Sequence, residues 1–357
     1  MIFKNFLRGF GVTAIILTIL PFIPIDNWSV RVFDFPHLQL TLVTLVALLT
    51  YFLRFEIKRK SDYIFVFILT ACFLFQAGKI YPYTKFASFE VKNPDDQNAT
   101  SLKIYSANVL QENKEWSLLI ENIEQHNPDV FVFTETDSIW RNRLHPFLSK
   151  KYKFNVEAVL DNTYGMLLYS RYPLNNYSVK YMVEDTIPSI HTELILPKGD
   201  TIQIYAIHPA PPTPQHNPSS VDRDSEMMHI AKLTREADFP VIVLGDFNDV
   251  AWSETTALFQ RASGLLDSRK GRGLYSTYNA KSWFMRWPLD HVFTSAEFRL
   301  KKLERGMKFG SDHFPLFCEF YFEPEGSDAQ RLVPPTNEEL RRANEQIREE
   351  KKDDGKK

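Results

Sequence analysis

A chain of 357 residues with a formal charge of −2 can hold two domains, and its balance of 42 Lys/Arg against 44 Asp/Glu hides an uneven spread. Residues 1–85 carry 9 basic against 4 acidic side chains, residues 86–322 carry 25 against 30, and residues 323–357 carry 8 against 10. An acidic middle region counts against tight binding of nucleic acid through its phosphates, though not against transient hydrolysis, and two cysteines, Cys72 and Cys318, argue against a zinc site or disulfide framework.

Three apolar stretches open the chain, at about residues 6–25, 38–53 and 63–77. A transmembrane helix needs ~20 mainly apolar residues. The second and third reach that length only with their flanks, residues 35–37 and 78–83. Tyr81 and Tyr83 would then lie at an interface, with Lys79 extending to the headgroups. Lys4 and Arg8 could also head a cleavable signal peptide, but Pro21-Phe22-Ile23-Pro24 follows where small residues are needed. Buried helices of a soluble domain are the other alternative, and three nearly uncharged runs so close together argue against it. Basic residues gather at the N-terminus and in the second loop (Arg54, Lys58, Arg59, Lys60), while the first loop has only Arg31. The positive-inside rule puts those two regions in the cytoplasm and the rest of the chain outside it.

Residues 85–100 turn polar and read as a linker. Residues 102–109 alternate as a strand, with Asn108 at its end. Residues 115–125 place Trp116, Leu119, Ile120 and Ile123 at helical spacing, and residues 130–134 form a short buried strand ending at Glu135. Tyr164 and Gly165 open a strand over 164–170. The turn Pro197-Lys198-Gly199-Asp200 joins strands 193–196 and 201–207, the second ending on His208. The Pro-rich run 209–218 cannot be sheet interior, and 224–237 reads as an amphipathic helix. Val241-Ile242-Val243-Leu244-Gly245-Asp246-Phe247-Asn248 is a buried strand finishing in a carboxylate and an amide two residues apart. An extended strand end turns such a pair toward one spot. Taken alone, the stretch reads equally as a polar turn. Residues 253–262 form a helix stopped by Gly264. A strand over 288–294 has Asp290 near its start, and Ser311-Asp312-His313-Phe314-Pro315 is a tight turn before a last strand, 316–322. Residues 323–357 read as a solvated tail, or a loose helix around 337–350. Many strands with few helices imply sheet packed on sheet with helices outside.

Asn108, Glu135, His208, Asp246, Asn248, Asp290, Asp312 and His313 thus all fall at strand ends or adjacent turns. In one sandwich those ends can meet at a common mouth. Four carboxylates there would repel one another. A hard divalent cation resolves this, and oxygen-rich donors suit Mg²⁺ or Mn²⁺ rather than zinc. Two imidazoles would supply a base for water and a cation for an oxyanion, which is equipment for metal-assisted phosphoester hydrolysis. Singly, each residue has a plainer reading as an exposed or turn residue. His191, His216, His229 and His291 are read as structural or surface groups.

The order of these pieces resembles the endonuclease/exonuclease/phosphatase superfamily, which includes deoxyribonuclease-like nucleases, abasic-site endonucleases, neutral sphingomyelinases and inositol-phosphate phosphatases. The matching pieces are Ser106-Ala107-Asn108-Val109, Phe133-Thr134-Glu135-Thr136, Tyr164-Gly165 with Ser170-Arg171-Tyr172-Pro173, Ile207-His208-Pro209, Gly245-Asp246-Phe247-Asn248, Leu289-Asp290-His291-Val292-Phe293 and Ser311-Asp312-His313-Phe314-Pro315. They span residues 101–322, in family order. The resemblance implies a four-layer α/β/β/α sandwich, here preceded by about three transmembrane helices.

It also implies roles. Asn108 and Glu135 would hold Mg²⁺ or Mn²⁺, with Asp312 assisting. Asp246 would orient or activate the attacking water, with Asn248 beside it on the phosphate. His313, polarised by Asp290, would be base or phosphate contact, and His208 would meet phosphate or leaving group. Thr134 stands where the family commonly has Gln, and His291 where it has an aromatic. The basic loops that grip DNA in abasic-site enzymes have no counterpart, which weakens a repair role. Tyr164 is either a substrate contact or packing. Trp283 and Trp287, in the cluster Trp283-Phe284-Met285-Arg286-Trp287, belong either to core or to a rim that stacks a base or enters lipid headgroups. The expectation is a membrane-anchored phosphoesterase, residues 1–84 in the membrane and the catalytic domain outside the cytoplasm. Its phosphodiester substrate would be nucleic acid or, nearly level, a phospholipid headgroup. A non-catalytic binding module on the same fold is the alternative from another class, and no protein partner is implied.

Overall fold

The computed structural model describes residues 2–214 and 217–354, so His216 lies outside the described residues. They divide into two compact units, Met1–Ala87 with Pro212–Ser220, and Ser88–Pro211 with Val221–Lys357.

The first unit contains α1 (Ile2–Ile19), the single turn α2 (Trp28–Arg31), α3 (His37–Tyr51) and α4 (Lys60–Ile80). With short 3₁₀ extensions, three helices are long and apolar enough to cross a membrane: Ile2–Phe22, His37–Arg54 and Lys60–Tyr83. Ala14 and Ala47 are fully buried and pack with Leu48 and Leu69, so the helices approach closely at small side chains. Elsewhere their apolar side chains face outward: Phe67 is 74% and Leu53 68% exposed. Water does not favour so much bare apolar surface on a helix.

Among the described residues, the second unit has twelve strands. In chain order they are β1 (Thr100–Asn108), β2 (Val130–Thr134), β3 (Phe154–Ala158), β4 (Met166–Ser170), β5 (Leu174–Tyr181), β6 (Pro188–Ile195), β7 (Thr201–Ile207), β8 (Val241–Asp246), β9 (Leu266–Asp267), β10 (Asp290–Thr294), β11 (Phe298–Arg305) and β12 (Leu316–Phe322). Its helices are α5 (Trp116–His126), α6 (Ser138–Leu148), α7 (Val221–Glu236), α8 (Glu254–Ser263) and α9 (Asn337–Asp354). One sheet runs β11-β12-β1-β2-β4-β3 and the other β5-β6-β7-β8-β10-β9. Aliphatic side chains from the facing sides, such as Ile104, Val132, Leu168, Ile204, Ile242 and Val292, form the core between them. The outer face of the first sheet is covered by α5 and α6 through Leu119, Ile123, Trp140 and Leu144. The outer face of the second is covered by α7 and α8 through Met227, Ile230, Leu258 and Phe259. This is the four-layer sandwich.

Two stretches pack more firmly than their composition suggests. Residues 85–100 read as a linker in sequence, yet Val91 is fully buried in the inter-sheet core. Glu90 accepts hydrogen bonds from the Asp267 amide at 2.7 Å and Gln260 Nε2 at 2.5 Å. The charged tail, which reads as solvated, forms α9. Its Ala343 is buried against α7 and α8, and Glu339 pairs with Arg261 at 2.8 Å. Three or four apolar residues on one face are enough to dock a helix that is otherwise charged.

Candidate active site

Strand direction is what gathers the polar residues. β1 and β2 are parallel, with Asn108 paired to Thr134, and β7 and β8 are parallel, with Ile207 paired to Gly245. Parallel strands end at the same edge, so Asn108, Glu135, His208 and Asp246 emerge together. β10 runs antiparallel to β8, and its first residue, Asp290, lies directly opposite Asp246. The loop between β11 and β12 delivers Asp312 and His313. Ser311 pins that loop: its Oγ donates to the Asn108 carbonyl at 2.8 Å and accepts from the His313 amide at 2.9 Å.

Asp246 is the focus. Its Oδ2 accepts from Asn108 Nδ2 at 3.0 Å and lies 3.6 Å from His313 Nε2 and 3.9 Å from His208 Nε2. Its Oδ1 accepts from the Asn248 amide at 2.9 Å. Asn108 Nδ2 also donates to Glu135 Oε1 at 2.7 Å, so one amide bridges two carboxylates. Asn108, expected as a metal ligand, therefore shows the carboxylates its nitrogen, while its oxygen accepts from the Leu110 amide at 3.0 Å. His313 Nδ1 bonds Asp290 Oδ2 at 2.8 Å. The Asn248 side chain donates to the Pro209 carbonyl at 3.0 Å.

Two site residues have strained backbones. Glu135 and Asn248 sit in the left-handed region, at φ 58° and 51°, which costs of order 1 kcal/mol or more for a residue with a Cβ. Two glycines make room. A Cβ on Gly245 would lie 2.0 Å from the Ile207 carbonyl oxygen, and one on Gly165 would lie 1.7 Å from that of Thr136. Gly165 thus presses on the residue after Glu135. Gly165→Ala should push Thr136 away, lowering the melting temperature by an amount worth roughly 1–3 kcal/mol and lowering metal affinity with it. A melt and a metal titration of the variant that both match the parent would remove Gly165 from this account.

Burial shapes the charges. It pushes the Glu135 carboxyl up to about 7, against the Asn108 hydrogen bond and the His313 cation. Burial also works against the Asp246 anion, but His313, His208 and the Asn108 bond together hold it below the ordinary carboxylate value. In His313 burial opposes the cation, yet Asp290 and Asp246 outweigh it and raise the imidazole to about 10. In His208 burial wins and lowers it to about 4. The two imidazoles therefore differ at neutral pH, one charged and one neutral.

Asp246, Asp290 and His313 each offer a ligand atom within 4.8 Å of the others, a group that could hold a metal ion. Two of the three are already hydrogen-bonded to each other through His313 Nδ1 and Asp290 Oδ2, so an ion there would take His313 Nε2 and the other Asp290 oxygen or else break that pair. The set as a whole is short of positive charge. Glu135, Asp246, Asp290 and Asp312 surround one imidazolium, and Asp290 Oδ1 has no hydrogen-bond partner among the described residues. A cation beside Glu135 fits that donor set.

The remaining expected residues lie at graded distances. Asp312 is half-buried and acts electrostatically on Glu135 and His313, with its carbonyl accepting from the Ala280 amide at 2.6 Å. The Tyr164 ring lies 5.4 Å from that of His208. Trp287 stacks on Tyr278 at 6.1 Å, and Tyr278 in turn leans on His313 at 5.0 Å. Trp283 is 86% exposed and stands beside Phe284 on the surface. His291 is fully buried, with its Nε2 on the Asp249 carbonyl at 2.9 Å, and His191 packs on Tyr205; both are structural. Tyr278 and Ser311 join the site without having been singled out in the sequence. Ser311 stands next to the expected Asp312 and His313, a visible signal, whereas nothing in the sequence distinguishes Tyr278 from its neighbours.

Residues 105–313 match the family described as Endonuclease/Exonuclease/phosphatase family. No curated protein matches the chain by sequence. Among solved structures, D. rerio TDP2 complexed with single strand DNA product is 17% identical with a TM-score of 0.53, over 62% of this chain and 98% of that one. The human Nocturnin catalytic domain with bound sulfate anion is 20% identical with a TM-score of 0.51, over 67% and 98%. An endonuclease/exonuclease/phosphatase family protein from Bacteroides thetaiotaomicron is 17% identical with a TM-score of 0.50, over 64% and 98%. At such identities the likeness is one of fold.

Proposed function

Because the chain belongs to the endonuclease/exonuclease/phosphatase family, we propose that it is a membrane-anchored hydrolase that cleaves phosphodiester bonds with Mg²⁺ or Mn²⁺ at the Asp246 site. One observation carries this reading: Asp246 Oδ2 lies 3.6 and 3.9 Å from two imidazoles and shares the Asn108 amide with Glu135.

Glu135 is the principal ligand of the ion, Asn108 positions it, and Asp312 adds negative charge nearby. When bound, the ion offsets charge on the phosphoryl oxygens. Asp246 orients the attacking water and receives its proton. His313, fixed through Nδ1 by Asp290, stays protonated at neutral pH and stabilises negative charge growing on the phosphoryl group. His208 stays neutral and donates a hydrogen bond to phosphate or leaving group. Asn248 fixes the turn after Asp246, its amide donating to that carboxylate, and borders the phosphate. Tyr164 and Trp287 line the approach.

Nucleic acid is the first substrate reading, supported by the product-bound state of the D. rerio TDP2 structure. A phospholipid headgroup is the second, favoured by Trp283, Phe284 and Met285, which are 86%, 46% and 44% exposed in the loop ahead of Asp290. Three apolar helices support anchoring, and the basic N-terminus and second loop support a catalytic unit outside the cytoplasm.

Nicking of supercoiled plasmid by the purified chain, with and without chelator, tests the first reading. Nicking is expected to need both metal and His313, and to vanish in His313→Ala. A folded, metal-binding protein that nicks nothing would transfer the assignment to the lipid reading. In that case Trp283→Ala should slow hydrolysis of vesicle headgroups but not of short soluble phosphodiesters.

A further inference from the structure

The first unit contains a polar site that this chemistry does not use. At one end of its helices, α1 begins, the connection from α3 to α4 passes, and α4 begins. Asp62, fully buried in the first turn of α4, accepts from Lys4 Nζ, from Arg8 Nη2 at 2.8 Å and from the Glu56 amide at 2.9 Å. Glu56 pairs with Lys4 at 2.9 Å and with Arg59 at 2.6 Å. Beside this network opens a cavity of about 550 Å³, lined by Lys4, Arg8, Arg54 and Arg59 with Glu56 as its single acidic residue. Even counting Asp62 behind them, four cations meet two carboxylates, so the wall keeps two positive charges.

Arg54 has no carboxylate partner among the described residues; it rests over the Phe3 ring, 5.4 Å from the centroid. Apart from Asn5, the rest of the lining is apolar: Phe3, Leu53 and Phe55, of which Phe3 and Leu53 are 46% and 68% exposed. Free phosphate would have no use for that apolar lip. A phosphate attached to a hydrocarbon chain would use both parts.

We propose that this cavity binds the phosphate of an anionic phospholipid. Arg54 and Arg59 contact the phosphate, the Lys4–Arg8–Asp62 network forms a fixed floor, and Phe3 and Leu53 take the first carbons of the acyl chains. The proposal rests on the reading of the three helices as membrane spans. By the same basic-residue rule, the cavity opens in the cytoplasmic leaflet, where anionic lipids attract basic segments.

The test uses the full chain in phosphatidylcholine nanodiscs, titrated with phosphatidylglycerol and read by native mass spectrometry of retained lipid. Phosphatidylglycerol should be retained in preference to phosphatidylcholine. Arg54→Gln with Arg59→Gln should weaken that retention roughly 30-fold, the expected effect of two basic contacts. Both side chains lie at the surface, so the melting temperature and hydrolysis of a soluble substrate should not change. Equal retention of both lipids, or unchanged retention by the double variant, overturns the proposal. Competition by inorganic phosphate at an affinity equal to that of the lipid would make the cavity a free-phosphate site and overturn the lipid assignment. Sedimentation of native membranes separates the premises: a chain left in the supernatant defeats the spanning reading, and the lipid site falls with it.

Discussion

Asp246→Asn is expected to lower kcat by about 10³-fold, with the fold intact and the substrate KM little changed. The replacement has nearly the same shape. Its oxygen can still accept from the Asn248 amide, which now lies 2.9 Å from Oδ1. Its nitrogen, in contrast, would face Asn108 Nδ2 at 3.0 Å, donor against donor, and would sit beside two imidazoles at 3.6 and 3.9 Å. The carboxylate that takes the water's proton is then gone from that spot, and the neutral His208 imidazole is the base that remains nearby. His313 would lose one of the three carboxylates that raise it, although Asp290, which is hydrogen-bonded to it, and Asp312 remain. Rates on a soluble phosphodiester at saturating metal, beside a thermal melt, decide the matter. An Asp246→Asn variant within about tenfold of the parent would remove Asp246 from the central role.

Glu135→Gln is expected to abolish the metal-induced stabilisation and to remove a pH effect. In the metal-free site burial raises the Glu135 carboxyl to about 7, from an ordinary value of 4.5. A raised carboxylate makes the folded state bind more protons than the unfolded state between those two values. Stability therefore falls as pH rises through that window, by at most roughly 3 kcal/mol. A bound cation removes the penalty, because it favours the ionised form. Mg²⁺ should accordingly raise the melting temperature more at pH 8 than at pH 6, where a proton competes for the same carboxylate. Glu135→Gln carries no proton to lose. Without metal it should be at least as stable as the parent at pH 8, and added Mg²⁺ should leave its melting temperature alone. A metal-induced shift that is the same at both pH values, or that survives in the variant, would show that the ion is held elsewhere. The group Asp246, Asp290 and His313 would then be the place to look.

These expectations depend on residues that can be read before any coordinates, and the reason is physical. Central strands are buried on both faces, so β2 and β8 open as continuous apolar runs and β12 is apolar but for Glu319. For residues 130–134 and 316–322 the sequence pattern and the strand agree to the residue. The strands that the sequence leaves unmarked, β3, β5, β9 and β11, are the four sheet edges. β5 exposes Asn175, Asn176 and Tyr177 in succession, so no apolar pattern marks it, and β9 is buried but only two residues long. The α6 helix is hidden by Pro146 near its end. Docking of α9 and burial of Val91 depend on a few apolar side chains finding a distant surface, which no local window contains.

The same division holds at the site. Which side chains could do chemistry, and that a membrane-suited segment precedes them, is written in residue type and order, because strand ends and apolar lengths are local properties. How they act on one another is not. That Asn108 turns its nitrogen to two carboxylates, that Glu135 is held left-handed against Gly165 and Thr136, and that His313 is charged while His208 is neutral all come from residues far apart in the chain. Burial and neighbouring charge set a side chain's protonation, and both exist only after the two sheets have closed on each other.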